Sequence, residues 1–145
     1  MAPMKSLSAI LTTTGIQDVA GLGGSTLSVA YGNSDGSFSA PSTVATNADF
    51  FVKAADVTGD GLPDLVTGVG KVGDFYAIET FKDTGRGSFS QEPTAFLTTN
   101  QPASIAVANF VDGNSDADLV LTSSSMASGK TYEQVSVLLS KKPQR

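Results

Sequence analysis

Residues 51–66 have the sequence Phe51-Val-Lys-Ala-Ala-Asp56-Val-Thr-Gly-Asp60-Gly-Leu-Pro-Asp64-Leu-Val66, and a related pattern follows at residues 104–120. In both stretches an apolar run leads into a polar loop, and an Asp-Leu-Val sequence follows the loop. Residues 104–108 alternate with period two, which predicts a half-buried strand, and the apolar run after each loop predicts another strand. The pattern therefore predicts pairs of strands joined by a polar loop.

A second recurring pattern alternates with the first along the chain and ends in Gly-Ser-Phe. It occurs at residues 27–38 and 77–89, and its final residues, Phe38 and Phe89, are 89 − 38 = 51 positions apart. Residues 135–140 begin the same pattern. The residues around Gln17 resemble a faded copy of the pattern at residues 51–66. The chain therefore consists of nearly three copies of a unit of about 50 residues, the signature of a repeat architecture.

The repeats predict an all-β fold with about four antiparallel strands per unit. We expect a single β-propeller segment spanning residues 1–145, with units at about 6–45, 46–97 and 98–142, the last of which lacks its fourth strand. The predicted strands are about 6–11, 17–22, 26–32, 37–45, 50–55, 64–69, 75–82, 88–97, 104–109, 118–123 and 132–140. Since a propeller closes with about four to eight blades, we expect this segment to belong to a larger or oligomeric ring. A β-trefoil is the competing three-repeat fold, and the acidic loop favours the propeller.

The composition excludes several kinds of chemistry. The 145 residues include no His and no Cys, which excludes His- or Cys-dependent nucleophiles, zinc sites built from these residues, and disulfides. The net charge of −5 at pH 7 disfavours nucleic-acid binding, because phosphates would be repelled. Excess carboxylates suit hard cations such as Ca²⁺, which prefer oxygen ligands.

The sequence gives little information about location. No apolar run approaches the roughly 20 residues that cross a bilayer, so we expect no membrane insertion. The first eleven residues contain one Lys and a short apolar patch, which is a poor match to a signal peptide.

Residues 56–64 carry the strongest chemical signal. Asp56, Thr58 and Asp60 alternate, so a curled loop can direct their oxygens inward, with the Leu62 carbonyl and Asp64 completing the set. Five or more oxygens are close to the lower end of what Ca²⁺ takes. The sequence therefore predicts a calcium site at this loop.

An EF-hand and a metal-free turn are the two alternatives to this site. An EF-hand needs Glu at its twelfth position, where this chain has Thr67. A metal-free turn rich in Asp is the simpler alternative, although three nearby carboxylates would then repel one another.

The loop and residues 27–38 together resemble the FG-GAP/VCBS repeat family of calcium-binding β-propellers, whose blades also occur in integrin α-subunit heads and some fungal lectins. The resemblance covers about residues 17–142. It implies that Ca²⁺ is held by the five residues of the loop named above. Thr58 replaces the usual Asp or Asn, which suggests weaker binding.

The resemblance also implies a tentative second site in the third unit, where the loop is one residue longer. Its ligands would be Asn109, Asp112, Asn114, the carbonyl of Asp116, and Asp118. A solvated polar loop is the alternative. The first unit has no carboxylates before Asp18, so we expect its site to be lost.

Three functions follow as hypotheses. The resemblance favours a secreted or cell-surface module that binds a glycan or protein, with Tyr31, Tyr76 and Tyr132 as possible stacking residues that are more often structural. A part of an enzyme is disfavoured, because catalysis would rest on carboxylates such as Asp74 or Glu79 and the carboxylates are better explained as metal ligands. A non-catalytic structural segment of a longer secreted propeller protein or enzyme, completed by further blades or a second copy, is the alternative. The eight Phe residues are expected to pack between blades.

Overall fold

The computed structural model describes residues 4–11, 15–85, 87–92, 96–108 and 117–139. These residues form twelve strands in three antiparallel sheets. They include no helix, and hence none that could span a membrane. The predicted all-β class is confirmed.

Each sheet is built from one continuous stretch of chain. The first sheet has the order β1-β2-β3-β4 and consists of β1 (Met4–Leu11), β2 (Gln17–Gly23), β3 (Thr26–Ala30) and β4 (Ser42–Ala45). The middle sheet has the order β5-β6-β7-β8, with β9 also paired to β7, and consists of β5 (Ala48–Ala55), β6 (Asp64–Val72), β7 (Phe75–Asp83), β8 (Phe89–Gln91) and β9 (Phe96–Thr98). The third sheet has the order β10-β11-β12 and consists of β10 (Gln101–Ala108), β11 (Asp118–Ala127) and β12 (Lys130–Leu138).

The sheets lie side by side in the manner of propeller blades. Strand β5, the first strand of the middle sheet, neighbours both β1 and β10, the first strands of the other two sheets. Up-and-down sheets that meet through their first strands are consistent with incomplete propeller blades. The third sheet has three strands within the described residues, as expected for the incomplete last unit.

Two apolar cores hold the sheets together, one on each face of the middle sheet. Alternation along β5 and β6 divides the side chains, so Val52 and Leu65 face the first sheet while Phe51 and Val66 face the third. The core shared with the first sheet comprises Ala20, Leu22, Leu27, Val29, Ala48, Val52, Leu65 and Phe81. The core shared with the third sheet comprises Phe51, Val66, Ile78, Ile105, Leu119 and Leu121. Neither outer sheet could bury its apolar face without the middle one.

Two predicted strands differ from the observed ones. The strand expected at 37–45 begins only at Ser42, after an isolated bridge between Gly32 and Phe38. Pro41, which has no N–H to donate to a ladder, directly precedes it. The strand expected at 88–97 is two short strands, β8 and β9, that pair with opposite ends of β7.

The phenylalanines divide into buried and exposed groups, so the expectation that all of them pack between blades is only partly right. Phe51 and Phe81 are buried, and Phe50 and Phe89 pack against the cores. Exposed phenylalanines lie at turns or on the outer strands: Phe38, Phe75 and Phe96. Phe110 lies outside the described residues.

Candidate functional site

The acidic loop, residues 56–64, joins β5 to β6 at one end of the middle sheet. Ala55 pairs with Asp64, so the strand ladder closes the base of the loop. Gly59 and Gly61 have φ angles of 74° and 86°, a region that disfavours side chains with a Cβ. These two glycines let the chain reverse direction within a few residues.

Asp56 organises the loop through its carboxylate. Its Oδ1 accepts hydrogen bonds from the N–H groups of Gly59 at 2.7 Å and Asp60 at 3.2 Å. Its Oδ2 accepts one from Gly61 at 2.8 Å. This is the pattern of an Asp that mimics a backbone turn, and it directs both oxygens of Asp56 to the loop backbone.

Asp64 is fully buried and ties the loop to the sheet. Its Oδ2 accepts hydrogen bonds from the N–H groups of Val57 at 3.0 Å and Thr58 at 2.9 Å, and its Oδ1 accepts one from Asp83 at 3.1 Å. Burial raises the pKa of the Asp64 carboxyl, and the backbone hydrogen bonds oppose that rise. Asp64 therefore fixes both the start of the loop and the end of β7.

Asp60 faces a cation supplied by the chain itself. Its Oδ2 lies 2.9 Å from Lys82 Nζ, and its Oδ1 accepts a hydrogen bond from the Leu62 N–H at 2.9 Å. The bond from Lys82 is the main reason that the pKa of Asp60 is lowered, and the same contact raises the pKa of Lys82. The contact with Lys82 could not be predicted from the loop sequence, because Lys82 lies 82 − 60 = 22 residues further along the chain.

The side chains of the acidic loop have the oxygen atoms that a hard cation prefers, but their carboxylates are not brought together around one point. All of the predicted ligands are oxygens, and Thr58 Oγ1 is buried beside Asp64 without a hydrogen bond of normal geometry. Such an orphaned hydroxyl fits an additional partner in the loop. Among the described residues, however, no three acidic side chains lie close enough together to hold a metal ion. The calcium site therefore stays a prediction, and Asp60 would have to leave Lys82 to take part in it.

Most of the tentative second site lies outside the described residues, namely Asn109, Asp112, Asn114 and Asp116. Asp118 is described and is fully buried at the start of β11, where it pairs with Ala108. The N–H of Ala117 donates to the Asp56 carbonyl at 3.3 Å, so the end of this segment lies against the acidic loop.

The first unit preserves the buried Asp although residues 12–14 of its loop lie outside the described residues. Asp18 is buried near the start of β2, and its Oδ1 accepts a hydrogen bond from the Gly32 N–H at 2.8 Å. Asp18 and Asp64 thus make the same type of contact. Each accepts a hydrogen bond from a backbone N–H at the end of the third strand of its sheet or shortly after it. This structural role was missed by the sequence interpretation, which treated Asp64 only as a ligand.

Turns after the third strand repeat with the spacing of the Gly-Ser-Phe pattern. The Asn33 N–H donates to the Ser37 carbonyl at 2.8 Å, and the Thr84 N–H donates to the Ser88 carbonyl at 2.9 Å. The two turns are 84 − 33 = 51 residues apart. The pairs that enclose them, Gly32 with Phe38 and Asp83 with Phe89, are separated by the same distance along the chain. The first two sheets are therefore structural repeats as well as sequence repeats.

A cleft, here called the outer cleft, lies between the β6–β7 and β11–β12 hairpins. It has a volume of about 370 Å³ and is lined mostly by polar side chains, among them Lys71, Tyr76, Thr99, Gln101, Ser124 and Ser125. Lys71 Nζ lies 5.7 Å from the centre of the Tyr76 ring, and Phe50 contacts that ring edge to face. Of the three tyrosines, only Tyr76 lines this cleft; Tyr132 is exposed, and the half-buried Tyr31 donates its hydroxyl to the Gly87 carbonyl.

Comparison with known families identifies the repeat. Residues 11–67 match the FG-GAP-like repeat. This part of the chain is similar to an FG-GAP-like repeat. The match begins at the end of β1, includes the whole acidic loop, and ends in β6. The matched segment therefore contains both the turn at Asn33–Ser37 and the loop at residues 56–64. No curated protein and no solved structure matches the chain significantly.

Proposed function

We propose that this chain is a non-catalytic propeller-type binding module that acts outside the cell and is stabilised by Ca²⁺. The proposed ligands are the carboxylates of Asp56, Asp60 and Asp64, the hydroxyl of Thr58 and the carbonyl of Leu62. When bound, the cation would neutralise the loop and hold it rigid. The family expectation and the oxygen-only donor set support this proposal.

The observation that carries the calcium proposal is the buried hydroxyl of Thr58, which lacks a normal hydrogen bond inside a loop of carboxylates. Asp64 is held beside it by three backbone N–H groups, so one carboxylate of the proposed site is already fixed. Thr58 contributes no charge and Lys82 opposes a cation. We therefore expect a dissociation constant of about 10⁻⁴–10⁻³ M, in the range of extracellular calcium modules.

The calcium proposal is tested by thermal unfolding with added Ca²⁺ and with a chelator. Because a ligand that binds only the folded state adds RT ln(1 + [L]/Kd), Ca²⁺ at ten times its Kd adds about 1.4 kcal/mol to the free energy of unfolding. Asp60→Ala should abolish this gain. Asp74→Ala is the matched control, because it removes the same charge from an exposed turn residue. Unfolding of the wild type that is indifferent to both Ca²⁺ and chelator contradicts the proposal.

The outer cleft supports a glycan as the partner of the module. Its hydroxyl and amide side chains can donate to and accept from sugar hydroxyls, and the ring of Tyr76 offers an apolar surface of the kind on which a sugar ring can pack. A glycan array probed with the whole chain, followed by Tyr76→Ala, tests this. The control is Tyr132→Ala, an exposed ring on β12 that is not among the residues lining the cleft. Binding that survives Tyr76→Ala contradicts the assignment.

The alternative function is a structural segment of a longer secreted propeller, without a binding activity of its own. It is supported by the outer face of the third sheet, where Val135, Val137 and Leu139 are 67%, 55% and 54% exposed. Apolar side chains on a sheet face usually pack against another layer. A further blade or a second copy of the chain would cover this face.

A further inference from the structure

The middle sheet places a lysine directly against the acidic loop. Leu65 pairs with Phe81 across β6 and β7, so the antiparallel register brings Lys82 opposite Asp64 at the base of the loop. From there its ammonium reaches Asp60 Oδ2 at 2.9 Å. Asp64 and Glu92 are also near enough to contribute to the attraction. Lys82 is thus the cation that faces the carboxylates of the loop in this structure.

The same position carries no cation in the other two sheets. The register of β2 with β3 and of β11 with β12 places Tyr31 and Leu139 at the positions equivalent to Lys82. The intact acidic sequence occurs only in the loop that precedes β6. The lysine therefore accompanies the one loop that has three carboxylates to neutralise.

Lys82 and a bound metal ion would need the same oxygen. Asp60 has one oxygen engaged by the Leu62 N–H and the other by Lys82, so no oxygen of Asp60 lacks a positive or donor partner. Both oxygens of Asp56 are engaged by the loop backbone. A divalent ion that binds Asp60 has to displace the Lys82 ammonium, or else it is repelled by that positive charge close by.

We propose that Lys82 is a built-in cation that competes with Ca²⁺ for Asp60, so that the loop remains neutralised when calcium is scarce and binds calcium only weakly. This inference rests on the proposed calcium function and concerns the regulation of that same site. Lys82 acts here through Asp60 and is a positioning residue rather than a metal ligand. Lys82 thereby sets the calcium concentration at which Ca²⁺ replaces the lysine ammonium at Asp60.

The test measures Ca²⁺ binding to the whole chain by isothermal titration calorimetry for the wild type and Lys82→Gln. Without the competing ammonium, Lys82→Gln should bind Ca²⁺ about two- to fivefold more tightly, because the attraction between Asp60 and Lys82 no longer has to be overcome. Lys82→Arg keeps the charge and should retain the weak affinity. Lys130→Gln removes an equal charge from the exposed β12 hairpin and should also match the wild type.

A second measurement separates competition from a general loss of structure. In chelator, Lys82→Gln should melt at a lower temperature than the wild type, and added Ca²⁺ should restore its stability. Equal Ca²⁺ affinities for the wild type and Lys82→Gln overturn the competition and leave the calcium proposal intact. If neither the wild type nor Lys82→Gln binds Ca²⁺, both the calcium proposal and the role of Lys82 are overturned.

Discussion

Asp18 and Asp64 occupy the same position in consecutive sheets and make the same contact. Asp18 Oδ1 accepts a hydrogen bond from the Gly32 N–H at 2.8 Å, and Asp64 Oδ1 accepts one from the Asp83 N–H at 3.1 Å. Both carboxylates are buried at the start of the second strand of their sheet. Asp64 additionally holds two N–H groups of the acidic loop, so one residue serves the sheet and the candidate site together.

Asp64→Ala is expected to destabilise the fold strongly. It leaves three N–H groups without their acceptor, and an unsatisfied buried donor costs about 1–3 kcal/mol, so the loss should exceed about 3 kcal/mol. Asp18→Ala removes one such bond and should cost about 1–3 kcal/mol. Urea unfolding measures both free energies, and equal losses for the two variants would show that the loop contacts of Asp64 contribute nothing.

Gly32→Ala is expected to destabilise the first sheet. A Cβ at Gly32 would lie 2.3 Å from the Gln17 carbonyl oxygen and 2.8 Å from Ile16 Cγ2, and the nearer neighbour is backbone. Such overpacking typically costs about 1–3 kcal/mol. Gly23→Ala, with no atom within 4 Å of the added Cβ, is the matched control and should be neutral or slightly stabilising. Thermal unfolding of the two variants compares them; equal midpoints contradict the close approach at Gly32.

Glu79 predicts a pH dependence of stability. Burial raises its pKa above the ordinary 4.5 despite a hydrogen bond from Asn47, and its Oε2 lacks a hydrogen-bond partner. A carboxyl whose pKa is raised in the folded state favours folding below its unfolded pKa, and that contribution is lost as the pH rises through the folded pKa. The wild type should therefore melt at a higher temperature at pH 5 than at pH 7. Asp64, whose pKa is also raised, acts in the same direction.

The variant Glu79→Gln isolates this contribution. It should stabilise the protein at pH 7 and reduce the difference in melting temperature between pH 5 and pH 7. Glu133→Gln removes an equal charge from an exposed position and should leave that difference unchanged. The lowered pKa of Asp60 does not enter this window, because its contribution is lost only as the pH falls below about 3.8. An unaltered pH profile for Glu79→Gln would contradict the burial argument.

The outer face of the third sheet predicts self-association. Val135 and Val137 project from the face of β12 opposite to Leu138, which packs on the core. We expect the wild type to sediment as a species larger than one chain and Val137→Asp to shift it towards the monomer. Thr43→Asp adds the same charge at an exposed position in β4 and should leave the size unchanged. A wild type that is monomeric at all concentrations would contradict this use of the face.

Much of the fold could be predicted because its signals are local. Alternating side chains, Gly-rich turns and a unit of about 50 residues placed most strand boundaries within a few residues, since a strand with one buried face needs period two. The strands predicted at 37–45 and 88–97 are longer than the observed ones, because the ladders there are short and the side chains of Phe38 and Phe96 are exposed rather than packed on a sheet face.

The sequence by itself determined that this chain is an all-β repeat with one intact acidic loop, because residue type and spacing along a few neighbouring positions carry that information. Only the tertiary structure decided what the acidic side chains contact. Antiparallel pairing of β6 with β7 brings Lys82 to Asp60 and the Asp83 N–H to Asp64, over separations of about twenty residues. Such contacts depend on strand register, and register is set by the burial of a whole sheet face, which no short stretch of sequence contains.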